Sequence, residues 1–509
     1  MCSPLRFAHP LLAVAMLLTA CDNSVTDPAT ASGPVHLEAG AGLAGGAEYC
    51  LPNPDRVVST FAELVEANAQ SGPGTRIAIQ GMIAMEYGFI MGYDNMVLTC
   101  ATPGSGLSAV PGSGVWSLIE MKASHDTVSG LVLDARESYP NTIYAVMEPE
   151  GGSYAVAPVM QGNVVTCYAG PCLRLAAGNF GEGQGGSIRN NLVTVLATGP
   201  DTAIQVQGWA GARVEGNRLV TTGESEHGLY LNGSTRITIV GNQVTGDWIQ
   251  GVVATDHTTA SRLARNVLGG TLDPFAFVDV DSMEVEDNII TCGTRTCGLV
   301  HIGPRTTLRR NRATSVGSET GLRIQRWTDG SVIEDNVVVL TAAASPPDAA
   351  GIRAHGGVDV RIRGNRVEGP WYSGILVWYL DAPVVEHNVV RGAAAFGALY
   401  FGDHGIFKAN QLIGGSEAGL GVGFGCYNTF RGNLIRPGPG APAAVFDEIT
   451  GANVFEGAGM TVVDNGNHDC DDADGADPNR ITGVHVAGGT LSLAREQGGS
   501  ELSPVFGAR

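Results

Sequence analysis

Positive charge is scarce in this sequence. Of 509 residues only 30 are Lys or Arg, against 50 Asp or Glu, and the formal net charge is −20. Phosphate backbones and anionic lipid surfaces repel such a chain, so nucleic acid and anionic membrane are excluded as primary partners. A polyanion binds only where basic residues cluster locally. Long apolar runs are missing as well. The stretch 11–20, LLAVAMLLTA, is only ten residues long, too short to cross a bilayer. Helical stripes are missing between residues 190 and 460, which excludes leucine-rich and helical solenoids. No CxxC pair or paired His spacing occurs, so the cysteines carry no metal pattern.

What is present is glycine, 72 residues of it, and a repeat. Residues 321–336 read GLRIQRWTDGSVIEDN. Nearly the same string ends at Asn242, Asn388 and Asn410. Closing asparagines stand at 191, 217, 242, 266, 288, 311, 336, 365, 388, 410 and 433. The step is about 24 residues, the range of a solenoid unit, and a solenoid grows by adding coils instead of second cores. Within each unit, short runs alternate apolar and polar residues, which is the period of a strand. Gly, Asp, Asn and Pro separate the runs as turn residues. The pattern predicts a three-sided coil of short stacked strands. Leu231, Ile324, Val377 and Val422 should stack inward. Each closing Asn should sit at a left-handed corner and ladder its amide with the coils on either side.

The repeated G-[LI]-x-[VI] … [VI]-x-x-N-x-[VIL] string resembles the right-handed parallel β-helix repeats of the pectate-lyase-like superfamily, over roughly residues 75–460. That resemblance implies an all-β fold, a right-handed parallel β-helix. It also implies polysaccharide lyase, glycoside hydrolase or uronate epimerase as the activity, if there is one. The sharp motifs of those enzymes are missing. Thr255-Asp256-His257 lacks the flanking elements of pectate lyases. Gly402-Asp403-His404-Gly405 is only loosely similar to the polygalacturonase motif, and Arg323-Ile324-Gln325 departs from R-I-K at its last residue. No catalytic residue is therefore carried over by resemblance.

The chain divides as follows. Residues 1–20 read as an export signal, with Arg6 as its positive end. Leu18-Thr19-Ala20-Cys21 resembles the bacterial lipobox, which implies cleavage before Cys21 and a lipid anchor on that thiol. Asp22 resembles an inner-membrane retention signal. Residues 21–55 form the lipidated Cys and a tether rich in Ala, Gly, Ser, Thr and Pro. Residues 56–75 hold an N-terminal cap. Its amphipathic helix, 60–69, places Phe61, Leu64 and Val65 on one face and covers the open end of the solenoid. The β-helix occupies 76–460, and 461–509 forms an acidic loop and a C-terminal cap or tail. The localisation read from this is the bacterial cell envelope, with oligomeric state undetermined.

Outside Cys2 and Cys21 there are eight cysteines, an even number that suits disulfides in an exported chain. Cys167–Cys172 and Cys292–Cys297 are close enough to clip single loops. Cys50–Cys100 and Cys426–Cys470 would then staple the two ends. Near the C-terminus, Asp469, Asp471, Asp472, Asp474 and Asp477 surround Gly475. Such hard oxygens suit Ca2+, although Arg480 stands where an EF-hand needs Glu.

Aligning the units on their opening glycines (228, 251, 298, 321, 351, 374, 397, 419) gives two outward rows. Two residues after Gly stand Val300, Arg323 and Arg353. Four after Gly stand Ile302, Gln325, His355 and Trp378, with Phe401 and Gly423 further on. The turns that follow add Arg326, Trp327, Tyr379, Asp381, Asp403 and His404. Eleven arginines fall between Arg295 and Arg366. Aromatic faces stack on sugar rings and Arg forks hold carboxylates. The expected partner is an acidic polysaccharide, with Gln325, Arg326, Trp327, Trp378 and Tyr379 binding it. For chemistry the candidates are Arg323 and Arg353 as carboxylate neutralisers, His355 and His404 as proton carriers, and Asp381 and Asp403 as a hydrolytic pair. The other reading is a non-catalytic surface or periplasmic scaffold or adhesion protein. It gains if the long loop 340–350 closes over the arginines.

Overall fold

A computed structural model describes residues 46–113, 117–135, 141–147, 156–168, 170–177, 183–196, 199–270, 273–293, 295–317, 319–346, 348–457, 459–466, 470 and 477–487. The signal, Cys21, most of the tether, and Asp469, Asp471, Asp472 and Asp474 lie outside the described residues.

The chain is an all-β parallel solenoid of about 16 turns. Three sheets run the length of the coils. Among the described residues the first sheet has 18 strands and the second 15. The third sheet runs from Phe89–Met91 to His485–Ala487. One coil shows the plan. Thr320–Gln325 belongs to the third sheet, Val332–Glu334 to the first and Val337–Leu340 to the second. Each pairs in parallel with its counterpart one coil on: Thr320 with Ala350, Val332 with Arg361, Val337 with Arg366. Coils therefore stack at the strand spacing of about 4.8 Å.

The opening glycine repeats because the corner has no room for a side chain. A Cβ at Gly351 would lie 2.2 Å from the Val367 methyl and 2.8 Å from the Gly374 carbonyl. At Gly374 the same clash falls on Val390 and Gly397. The valines of the second sheet and the glycines of the third thus lock together coil after coil. Leu231, Ile324, Val377 and Val422 are fully buried in one continuous core, as their alternation requires.

The asparagine ladder forms, and it begins one rung earlier, at Asn163. Asn336 is typical. Its Nδ2 donates to Asn365 Oδ1 at 3.0 Å and to the Leu308 carbonyl at 2.8 Å, and its backbone N–H donates to Asn365 Oδ1. The corner itself differs from expectation. The left-handed residue is the one before each Asn: Arg310 (φ 52), Asp335 (φ 55), Gly364, His387 (φ 56) and Ala409 (φ 53). This turn swings the Asn inward, where a buried amide must find partners. A second ladder, Asn428–Asn453–Asn479, stabilises a different corner near the C-terminal end.

The cap helix is Phe61–Ala69. Thr60 and Glu63 form a capping box, Thr60 Oγ1 accepting from Glu63 N at 3.2 Å and Glu63 accepting from Thr60 N at 3.1 Å, the arrangement that satisfies orphan N–H groups. Leu64 and Ala67 are buried, whereas Val65 is exposed and Phe61 packs edge-on against Tyr87. The coils extend beyond the expected limits: Arg56–Val58 already pairs with Arg76–Ile79, and Arg480–Thr482 with Val454–Glu456. All four expected disulfides are present.

Candidate functional site

The outer face of the third sheet carries the expected rows, with a correction in their register. Gly298 does not stand level with Gly321. It pairs with Leu322, and Cys297 takes the glycine place in that coil. Val300 therefore faces inward beside Ile324, and Leu299 stands beside Arg323. Ile302 falls on the turn in a left-handed conformation, and His301 takes the place expected for it. The two rows read Val253, Ala276, Leu299, Arg323, Arg353, Leu376 and Thr255, Val278, His301, Gln325, His355, Trp378, Phe401. A second correction comes from a bulge: Phe424, not Gly423, continues the row after Phe401. A Cβ on Gly423 would lie 1.8 Å from the Phe401 ring, so the backbone slips by one residue.

Arg323 and Arg353 are adjacent, as expected. Both are half-buried, and neither Nε has a hydrogen-bond partner. Burial, and then the charge of Arg353, pushes the Arg323 guanidinium down to about 10. Glu319, Asp273 and Asp348 act in the opposite direction. Asp348 belongs to the loop 340–350, so the charge of that loop reaches the Arg323 end of the row. Asp273 is buried, and burial raises its carboxyl to about 6 against the pull of Arg295.

The broad basic stretch divides among the sheets. Glu286 is buried and accepts from Arg262, Arg309 and Arg310. Arg305 pairs with Asp281, Arg363 with Glu334 and Arg366 with Glu368. The first five of these arginines cross-link neighbouring coils away from the site, while Arg366 and Glu368 pair within one strand. Among the described residues, the arginines of the third-sheet face are Arg174, Arg323 and Arg353, with Arg295 and Arg326 at its edges; Arg174 donates to Gln207 several coils away from the other two.

Gln325 Nε2 donates to His301 Nδ1 at 2.6 Å. Burial, followed by Arg326 and Arg323, holds His301 below the usual histidine range. His355 lies 6.0 Å from the Tyr379 ring, and Tyr379 lies 5.7 Å from Trp378 and 4.9 Å from Phe424. Trp378 and Phe401 are 4.4 Å apart. Trp378, Tyr379, Phe401 and Phe424 form one cluster beside the arginine row, with His355 at its edge. Trp327 is 68% exposed on its turn. His404 Nδ1 and Asp381 Oδ1 are 2.9 Å apart, and the His404 ring stacks on Tyr427 at 5.5 Å. Asp403 Oδ1 accepts the Cys426 backbone N–H at 2.8 Å, so Asp381 and Asp403 each hold a partner already. Asp477 accepts from Cys470 N. Among the described residues no group of three or more His, Cys, Asp or Glu side chains is arranged to hold a metal. No described helix is long and apolar enough to cross a membrane.

Sequence alignment on glycine missed His301, Phe424, Tyr427 and Asp273. Pairing Cys297 with the glycine place would have found His301. The bulge behind Phe424 leaves no signal in sequence.

Residues 227–390 match the family model described as right handed beta helix region. No curated protein matches in sequence. Solved structures similar to this chain include the Dettilon tailspike protein, 12% identical over 83% of this chain with a TM-score of 0.38. This chain spans 64% of that protein's length. The periplasmic alginate epimerase AlgG is 13% identical over 72% of this chain and 76% of its own, with a TM-score of 0.32. DFA-IIIase from Arthrobacter chlorophenolicus A6 is 8% identical over 78% and 88%, with a TM-score of 0.28. The parallel register of all three sheets and the family match over 227–390 agree, and this chain folds as a right-handed parallel β-helix.

Proposed function

We propose that this chain binds an acidic polysaccharide along the outer face of the third sheet, as an exported protein anchored by a lipid on Cys21. The observation that carries the reading is the pair Arg323 and Arg353, half-buried and level in adjacent strands, leading into the Trp378–Tyr379–Phe401–Phe424 cluster. A guanidinium fork suits a planar carboxylate, and aromatic faces suit sugar rings. Pairing of all eight described cysteines supports an oxidising compartment. The lipobox-like Leu18-Thr19-Ala20-Cys21 supports the anchor.

The test is migration through gels containing pectate, alginate, hyaluronan or chondroitin, with Ca2+ present, alongside assays for unsaturated uronate and reducing ends. Retardation by one of these gels that is lost in the Arg323→Ala, Arg353→Ala double variant supports binding. Product that disappears with His355→Ala makes the protein a lyase or a hydrolase as well. Labelled palmitate incorporated in the producing cell, and lost with Cys21→Ala, tests the anchor.

A second reading, the non-catalytic scaffold, is favoured by one observation. Asp273, Glu319 and Asp348 already offset the charge of Arg323. Free migration in all four gels would select it.

A further inference from the structure

A row at the start of the third-sheet strands stands one residue before the opening glycine, or before the residue that takes its place. His227, Gln250 and Asp273 are level there in successive coils. Thr296, Thr320 and Ala350 occupy the same place in the coils that follow, so the turn does not require a carboxylate. Asp273 is nevertheless 5% exposed. Gln250 Oε1 lies 3.2 Å from His227 Nε2 and can only accept, so that ring nitrogen carries the proton. The Gln250 amide is left to donate to Asp273, and the Thr296 N–H donates to the same carboxyl. Asp273 is thus held in place by two neutral donors.

The charged groups around it come from four elements. His227 stands two coils before, and burial holds it down to about 4, so it is neutral above about pH 5. Arg295, just before Thr296–His301, and Arg323, on Thr320–Gln325, both pull the Asp273 carboxyl down, but burial outweighs them and leaves it at about 6. Arg323 in turn feels Arg353, Glu319, Asp273 and Asp348. Glu319 and Asp348 are exposed, where water and salt screen them. Asp273 is inside, where a charge acts more strongly on its neighbours.

We propose that Asp273 is a proton-operated gate on the Arg323–Arg353 site: its ionised carboxylate takes the place of the ligand as counter-ion to Arg323, and its protonated form releases the guanidinium, so that the site takes an anionic sugar in acid and gives it up near neutral pH. This rests on the polysaccharide reading above and names how that site is regulated. Because Gln250 and Thr296 hold the side chain, it changes charge without leaving its place. Proton and ligand then favour each other. An anion at Arg323 weakens the pull of that arginine on Asp273, raises its carboxyl further and draws in up to one proton. Affinity therefore falls as pH rises through about 6. The offset of Arg323 by carboxylates, which favours a scaffold, becomes a state of the site near neutral pH instead of a permanent one.

The test uses the full chain with pectate and chondroitin sulfate, whose anionic groups stay ionised from pH 5 to pH 8. Affinity of the parent should fall about tenfold between pH 5 and pH 7.5. Asp273→Asn should bind at both values as tightly as the parent does at pH 5. Asp273→Thr, which carries the residue of the next two coils, should do the same and serves if the Asn variant does not fold. His301→Gln and His355→Gln should keep the slope, whatever they do to the affinity. Binding heats of the parent near pH 6.5, in buffers of different ionisation enthalpy, should show net proton uptake. A flat parent profile or no uptake would overturn the gate, while binding that is lost in the Arg323→Ala, Arg353→Ala double variant would leave the polysaccharide reading standing. A slope that survives Asp273→Asn, or vanishes with either histidine variant, would also overturn it. So would weaker binding by folded Asp273→Asn than by the parent at pH 5, which would make Asp273 a support for the arginines. Binding of neither probe at any pH would overturn the gate and the reading together.

Discussion

Arg323 and Arg353 face the same way from adjacent strands, with a Leu on either side of the pair, Leu299 before and Leu376 after. The row is thus an aliphatic stripe interrupted by two like charges. Like charges directly opposite in a sheet destabilise it, and burial adds to the cost. Arg353→Leu should therefore stabilise the protein by about 1 kcal/mol. It should also abolish retention on the acidic polysaccharide. Urea unfolding and gel migration, run on the same preparation, check both halves. A less stable variant would mean that Arg353 holds the coil together, and the ligand argument would lose its basis.

The asparagine ladder should be strongest in its middle. Asn336 accepts from the Asn311 backbone and side chain and donates to Leu308 O and Asn365 Oδ1. Asn336→Ala leaves those neighbours buried without partners. Unsatisfied buried groups cost roughly 1–3 kcal/mol each, so the loss should exceed about 3 kcal/mol. Asn433 closes the ladder, donates only to Phe407 O among the described contacts, and is 9% exposed. Asn433→Ala should cost less, as a denaturation midpoint comparison will read directly.

Two buried carboxylates should respond to pH in opposite senses. Asp126 Oδ1 accepts the Met96 N–H, but Oδ2 is buried without a partner, and burial raises the group to about 7. The unfolded chain ionises Asp126 near its ordinary value of 3.8. Stability from this group is therefore greatest at low pH, falls as pH rises from about 4 to about 7, and is flat above. Asp126→Asn removes the charge and should gain on the order of 2 kcal/mol at pH 8, with little or no gain at pH 4. Melting temperatures of the pair across that range test it, and a constant difference would refute it.

Glu286 behaves the other way. Burial alone would raise its carboxyl, but hydrogen bonds and charge from Arg262 and Arg309 hold it below the usual range. Its contribution is present above the unfolded value near 4.5 and is lost as pH falls through the lower folded value. Glu286→Gln removes the charge that three arginines share. Breaking a buried pair costs about 3–5 kcal/mol. The loss should be largest near pH 7 and should shrink toward pH 3.

Much of this fold is legible in the sequence because its forces are local and repeated. The glycine that meets Val367, the Asn that ladders, and the alternation that buries Ile324 recur in most coils, so each repetition checks the last. Cysteine pairing was legible for the same reason: loops of five residues leave few alternatives for Cys167–Cys172 and Cys292–Cys297. The site was less legible. Arg323, Gln325, His355 and Trp378 fall as expected because their coils keep the glycine register. His301 and Phe424 do not, because Cys297 replaces one glycine and a bulge shifts another strand. The basic stretch misled most. Proximity in sequence placed eleven arginines together, yet successive runs of one coil face three directions.

The sequence by itself determined the solenoid, its period and its inward residues, because each depends on a pattern repeated at fixed spacing. Only the tertiary structure decided which outward residues meet. Contacts across coils depend on a register that a single bulge moves by one residue, and that step exchanges one face of a strand for the other. It also decided which charges remain for a ligand. Arg309 and Arg310 hold Glu286 one coil away, while Arg323 and Arg353 stand beside each other with buried Nε atoms that have no hydrogen-bond partner.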